Sequence, residues 1–245
     1  MFVTWLTHKM VEHIISKETL QKFYATSSVI FQVLGSVAGI MQAFVVVSFW
    51  NDFQDATNSA HHEVENVTVT YRNISLLTDS PQKAIVMTSF KNYVVSLVTE
   101  EVTGHAKGLG LNDSTQRYQE DLWKSLKQLA PAIQSLGDQA IYQALVADAN
   151  NAAKLRQHRV SAVMSSDATL LWVVLVASAL LVMLVMGMLS MGQKGRLYYL
   201  QSFALAFIFS LMIAVSLDYS KPYEGTTTIS KDIYDALLVR ARNLP

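Results

Sequence analysis

Cysteine is absent from the 245 residues. That excludes disulfides, thiolate nucleophiles and cysteine-ligated metal or iron–sulfur centres together, and it leaves the redox compartment open. Charge is scarce as well, at 16% of residues against about 25% in ordinary soluble domains. The 19 basic and 19 acidic residues balance, so the chain offers no polybasic surface for nucleic acid. Catalytic signatures are missing too. There is no phosphate-cradling glycine loop, no G-x-S-x-G elbow, no His-Glu-x-x-His and no carboxylate pair at a recognisable spacing. The sequence therefore reads as a non-enzyme with no cofactor.

What is present is apolar and concentrated. Hydrophobic residues make up 51% of the chain, and three runs carry no charge at all: residues 27–50, 169–192 and 197–217. Each is long enough, at ~1.5 Å per helical residue, to cross a ~30 Å hydrocarbon layer. The expected fold is all-α: a multi-pass membrane protein with three transmembrane helices and an extramembranous helical bundle inserted between the first and the second.

The chain then divides as follows. Residues 1–26 are too interrupted by His8, Lys9, Glu12 and His13 for a cleavable signal peptide, and read as an interfacial or amphipathic segment. Residues 27–50 form the first span. Beyond Trp50 neither Pro nor Gly occurs before Pro81, and Phe53, Ala56, Ala60, Val64, Val67, Tyr71 and Ile74 continue the helical period. One helix is thus expected from about residue 28 to about residue 77. Residues 51–166 as a whole make about four amphipathic helices, a pattern that a helical bundle buries. Ser114 is the expected cap of the third, after a glycine-rich loop over 104–114. Residues 169–192 and 197–217 are the second and third spans, joined by a turn at 193–196, and 218–245 form a tail with a short helix.

Orientation is weakly marked. Lys9, Lys17, Lys22, Lys194 and Arg196 on one side match Lys154, Arg156, Arg159, Lys221 and Lys231 on the other, five against five. The short turn holds two of its basic residues in four positions, and short loops weigh most. This places the turn in the cytoplasm and the bundle outside it, in the inner membrane if the source is bacterial. The sequons at Asn66 and Asn73 agree with that side.

Four groups of residues stand out. Ser28, Gln32, Gly35, Gly39 and Gln42 follow steps of 4, 3, 4 and 3, which puts a small and polar stripe along one side of the first span. The stripe is either a helix-packing seam, for which Gly35 and Gly39 supply G-x-x-x-G, or a pore lining with Gln32 and Gln42 facing water. Glu63, Tyr71 and Arg72 lie further along the same helix, where an Arg–Glu pair between helices would fix the bundle. Arg156 and Arg159 precede the second span and read as membrane-surface cations that anchor at, or attract anions to, the interface. His61 and Glu65, at i and i+4, are the weak metal candidates, without an evident third ligand.

Several of these positions together resemble the bestrophin-like domain family of bacterial and plant membrane proteins. The resemblance rests on the span ending in Trp50, then Ala56, Glu63 and the Tyr71-Arg72 pair. It continues in Arg156-x-x-Arg159 ahead of Trp172, and in Pro222, Tyr223, Gly225, Ile229 and Ser230. The Glu-Trp pair of the family is Glu101-Val102 here, and its acid two places before Pro222 is Ser220. The resemblance implies a distant relation to bestrophins, which are pentameric anion channels. It implies a homo-oligomer in the lipid bilayer and an ion channel, with anions as the candidate ions. The competing class is a non-conducting membrane sensor, scaffold or partner-binding protein acting through its bundle.

Overall fold

A computed structural model of the protein describes residues 17–102, 112–163, 168–189, 196–223 and 226–242. All regular structure among these residues is helical. The first helix, α1, is Lys17–Leu76, 60 residues long. It begins well before the first apolar run, so residues 17–26 are helical; residues 1–16 of the expected amphipathic segment lie outside the described residues. Its C-terminal carbonyls, which have no partner within the helix, are closed by a side chain. Lys83 Nζ donates to the carbonyls of Ser75 at 3.1 Å and Leu77 at 2.6 Å, and to the Asp79 carboxylate at 2.8 Å.

The next helix, α2, is Pro81–Ser96. Proline suits its first turn, where no N–H is needed, and the Ser80 hydroxyl accepts from the Lys83 N–H at 3.1 Å. It runs on into a π-helical turn, Leu97–Val102. The third helix, α3, is Asp113–Leu129. Its cap is Asn112 rather than the expected Ser114. The Asn112 side-chain oxygen lies far enough upstream to accept from two open N–H groups, those of Ser114 at 2.8 Å and Thr115 at 3.1 Å. Pro131 is taken up in a 3-10 turn, Ala130–Ala132, after which α4 runs over Leu136–Val163. Two apolar helices follow, α5 (Ala168–Leu189) and α6 (Arg196–Tyr219), and then α7 (Asp232–Arg242). Most of the expected glycine-rich loop and of the turn between α5 and α6 lies outside the described residues.

The chain divides into two units, Met1–Asn51 with Ser166–Ser220, and Asp52–Ser165 with Lys221–Pro245. The first contains the apolar part of α1 with α5 and α6. Two buried layers hold it together: Ala38, Ala179, Val182 and Phe209, and then Val45, Phe49 and Leu175. The Gln42 amide donates to the Ser178 hydroxyl at 3.1 Å, and Ser178 in turn donates to the Leu175 carbonyl. Phe49 packs on Trp172 and Trp50 sits edge-on to Tyr219, with ring centroids 5.3 and 5.2 Å apart. Such an aromatic group suits the rim of a bilayer. Outward, Val33, Phe44, Leu170, Phe203 and Phe207 are exposed, a surface whose natural solvent is lipid. Among the described residues, the helices long and apolar enough to cross a membrane are Ser28–Leu76, Thr169–Gly187 and Leu200–Tyr219.

The second unit packs the remainder of α1 with α2, α3, α4 and α7. Its apolar interior includes Ala56, Ala60, Val67, Ile74, Val86, Phe90, Leu126, Leu145 and Leu237. Polar links cross between helices: Asn73 Nδ2 donates to Asp148 at 2.8 Å, and the Tyr142 hydroxyl to the Leu126 carbonyl at 3.1 Å. The fold is thus all-α, with three membrane-length apolar helices and a large helical insertion between the first and second.

Because Asn112 caps α3, Asn112→Ala should lower the stability of the full chain in mild detergent by ~1 kcal/mol, whereas Ser114→Ala should change it by only a few tenths. Denaturant unfolding of both variants checks this; equal losses would return the cap to Ser114.

Candidate functional site

Charged side chains do not enter protein interiors singly. Here four do so together. Glu63 on α1, Glu101 in the π-helical turn, and Arg156 and Arg159 on α4 are each 0–1% exposed. Helical spacing puts them there. In α1 the buried positions around Glu63 are Ala56, Ala60, Val67 and Thr70, and in α4 the stripe runs Leu145, Ala149, Ala152, Arg156 and Arg159. The charges therefore occupy core positions by register, among small and aliphatic neighbours.

The geometry satisfies them closely. Arg156 Nε donates to both Glu101 oxygens, at 3.0 and 3.1 Å, and its Nη2 donates to Glu101 Oε2. Arg156 Nη1 donates to Gln116 Oε1 at 3.1 Å and to Gln119 Oε1 at 2.6 Å, both on α3. Arg159 bridges the two acids: Nε reaches Glu63 Oε2 at 2.6 Å and Nη2 reaches Glu101 Oε1 at 2.8 Å. Arg159 Nη1 donates to the Tyr223 hydroxyl at 3.1 Å, and the Tyr234 hydroxyl donates to Glu63 Oε2 at 2.9 Å. The rings of Tyr223 and Tyr234 lie 6.0 and 5.9 Å from the Arg159 guanidinium, within cation–π range. Two carboxylates and two guanidinium groups leave the cluster neutral.

The protonation states follow from these contacts. Burial pushes the Glu101 carboxyl up, but the hydrogen bonds from Arg156 and the Arg159 charge outweigh it and hold the group below its ordinary range. Burial works against the Arg159 charge, and Glu63 more than restores it, so the guanidinium holds its proton more tightly than usual. Burial, with the Glu63 charge, pushes the Tyr234 hydroxyl well up, and burial pushes Tyr223 up as well. Glu101 is thus ionised, Arg159 keeps its charge, and Tyr223 and Tyr234 are neutral across the physiological range.

The other sequence-derived positions are spread more widely. Arg72 is exposed and takes no part in the cluster; Glu63 pairs with Arg159 instead. Tyr71 stacks on Phe90, with ring centroids 6.3 Å apart. Arg156 and Arg159, read from the sequence as membrane-surface cations, are buried ion-pair partners, because Glu101 and Glu63 supply the anions that a headgroup would have. Pro222 is buried and its carbonyl accepts from the Ile229 N–H at 2.8 Å, while Ser230 takes the Asp232 N–H at the start of α7. Gly225 lies outside the described residues. His61 and Glu65 are exposed; His62, not His61, contacts Glu65, at 3.3 Å. No group of three or more metal-binding side chains occurs among the described residues. Asn73, in one sequon, has its amide engaged by Asp148. In the first span Gln42 is buried against Ser178, Gln32 is exposed, and Ser28, Gly35 and Gly39 are half-buried.

Sequence reasoning did not single out Glu101, Gln116, Gln119 or Tyr234 as site residues. The available signal was a charge on an apolar stripe: Glu101 follows Val86, Phe90, Val94 and Leu97 at helical steps.

These features define a class, an all-α multi-pass membrane protein whose helical insertion is built on a buried, neutral Glu–Arg cluster. The chain matches the bestrophin-like domain over residues 1–234 and belongs to that family. No curated protein and no solved structure matches it.

Removing one partner strands the other charge. Arg159→Met should cost ~3–5 kcal/mol of unfolding free energy, and Arg72→Met within ~0.5 kcal/mol of none. Denaturation of the two variants in detergent compares them directly; similar losses would count against the cluster as the centre of the unit.

The cluster also sets a pH profile. Glu101 is more acidic folded than unfolded, so its contribution is full above the unfolded value of about 4.3 and is lost as pH falls through the folded one. Tyr223 and Tyr234 are less acidic folded than unfolded, so stability falls as pH rises past about 10. Unfolding midpoints measured against pH should show a plateau between these limits. Glu101→Gln should shrink the acid limb, with Asp79 and Asp138, also held below their ordinary range, supplying the rest.

Proposed function

We propose that the protein is a homo-oligomeric ion channel of the bestrophin-like kind, assembled through the first span. One observation carries this reading. A Cβ built at Gly35 or Gly39 meets nothing within 4 Å, and the Gln32 side chain beside them is exposed. At ~100° per residue this flank stands about a quarter-turn from the seam of Ala38, Gln42, Val45 and Phe49. A bare glycine pair lets another helix approach closely, and an amide has no partner in hydrocarbon. A second copy and water around an axis would supply both needs. The Ser28, Gln32, Gly35 and Gly39 part of the stripe then faces neighbouring copies and the axis, while Gln42 serves the chain's own packing. The three uncharged runs offer no charged ring, so selection would rest on pore size, amide dipoles and apolar constriction. On this reading the protein is not an enzyme, the helical insertion is extracytoplasmic, and the ions passed include anions.

Planar-bilayer recording of the purified protein, with its mass in mild detergent, tests the proposal. Discrete conductance from an oligomer is expected. Gly35→Leu and Gly39→Leu should release monomers that keep the wild-type helical content, since the chain's own helices leave room there. Gln32→Leu should alter unitary conductance while Gln42→Leu should not. A monomer with no conductance would favour the non-conducting sensor or scaffold.

A further inference from the structure

The helical insertion has one loose end. Among the described residues, buried side-chain atoms with no hydrogen-bonding partner in the protein are Gln42 Oε1, Ser202 Oγ, Ser216 Oγ and the Tyr93 hydroxyl. Tyr93 alone of these belongs to the insertion, where it is 3% exposed on α2. The charges of Glu63, Arg156, Glu101 and Arg159 all act on it, so it borders the cluster without sharing in its hydrogen bonds. A phenol left this way forfeits its bonds to water and gains none in return.

Beside it is a cavity of about 10 Å³. That is about the least space that holds one water molecule and too little for anything larger. Its lining is apolar (Val67, Phe90 and Leu122 among others) except for Thr70, Tyr93, Gln119 and the indole of Trp123. Thr70, Tyr93 and Gln119 are complementary. Gln119 spends its carbonyl oxygen on Arg156, which leaves the amide nitrogen to donate. Thr70 donates its hydroxyl proton to the Asn66 carbonyl, which leaves its oxygen to accept. The Tyr93 hydroxyl can do either.

We propose that this cavity binds one ordered water molecule, held by the Tyr93 hydroxyl, the Gln119 amide and the Thr70 hydroxyl. The water joins Tyr93 to the cluster through Gln119 and Arg156, and ties α1, α2 and α3 at one point. It does not depend on whether the protein conducts ions.

The sign of one substitution decides the matter. Tyr93→Phe removes only the hydroxyl. If water bridges that hydroxyl, the variant loses a satisfied group, and the full chain in detergent should melt about 2–4 °C below wild type. A hydroxyl without any partner gives the opposite result, since removing it relieves a cost. Thr70→Val, of nearly the same shape, should lower melting too, and the double variant should fall by less than the two single losses together. A Tyr93→Phe protein that melts at or above the wild-type temperature overturns the proposal. So does a structure that resolves ordered waters and shows none in this cavity.

Discussion

Arg159 is the constraint on which the insertion depends. Its guanidinium is fully buried and engages Glu63, Glu101 and Tyr223, which come from α1, the π-helical turn and the segment after α6. Taking such a charge out of water costs several kcal/mol, which only good geometry and a full set of hydrogen bonds repays. A non-specific collapse of these helices would bury the same apolar area and leave the charges unmet. The cluster therefore acts less as a source of net stability than as a condition on register: the helices must meet at one phase for four charges to be matched. Tyr223 and Tyr234 close that condition from the C-terminal tail, so the end of the chain belongs to the same constraint as α1.

The two units handle polarity differently, and the solvent explains it. In the membrane-length part, Gln42 and Ser178 make a neutral interhelical contact, an amide to a hydroxyl. The insertion instead buries three ion pairs among two acids and two arginines, because α3 and the tail bring Gln116, Gln119 and the tyrosines to complete the shell. A lone charge on a span would lack those neighbours and face hydrocarbon.

The spans were legible in the sequence because burial in lipid needs only length and the lack of charge, both local properties. The long α1 was legible for the same kind of reason, since nothing between Trp50 and Pro81 could break it. Pairing is not local. Arg72 and Arg159 were equally eligible partners for Glu63 on residue type alone, and the choice was made by packing, which faces Arg159 inward and Arg72 outward. Nearness to the second span made Arg156 and Arg159 look like headgroup ligands. Their phase on α4, in step with Leu145, Ala149 and Ala152, argued for the core and was the better guide. The cap of α3 was misplaced because Ser114 meets the same residue preference as Asn112; position separates them, since Ser114 lies inside the helix and its own N–H is one that Asn112 caps.

The periodicity of α1 brings the two kinds of burial into one helix. Its buried positions are Ala38, Gln42, Val45, Phe49, Phe53, Ala56, Ala60, Glu63, Val67, Thr70 and Ile74. The steps alternate between four and three, as in a coiled coil, except at Val45–Phe49–Phe53, where two fours fall together. A strict seven-residue repeat drifts by about 20° per heptad on a straight helix, and supercoiling must absorb the drift. The additional four-residue step turns the phase the other way. From Ala38 to Ile74 the average then returns to about 3.6 residues per turn, the value of an undistorted helix. α1 can keep one stripe buried through both units without winding around its neighbours. A stripe that does not wander keeps the flank at Gly35 and Gly39 about a quarter-turn away from it, and a Cβ added at either glycine meets nothing within 4 Å. That room beside a small-residue pair is the physical ground for the proposal that a second copy packs there.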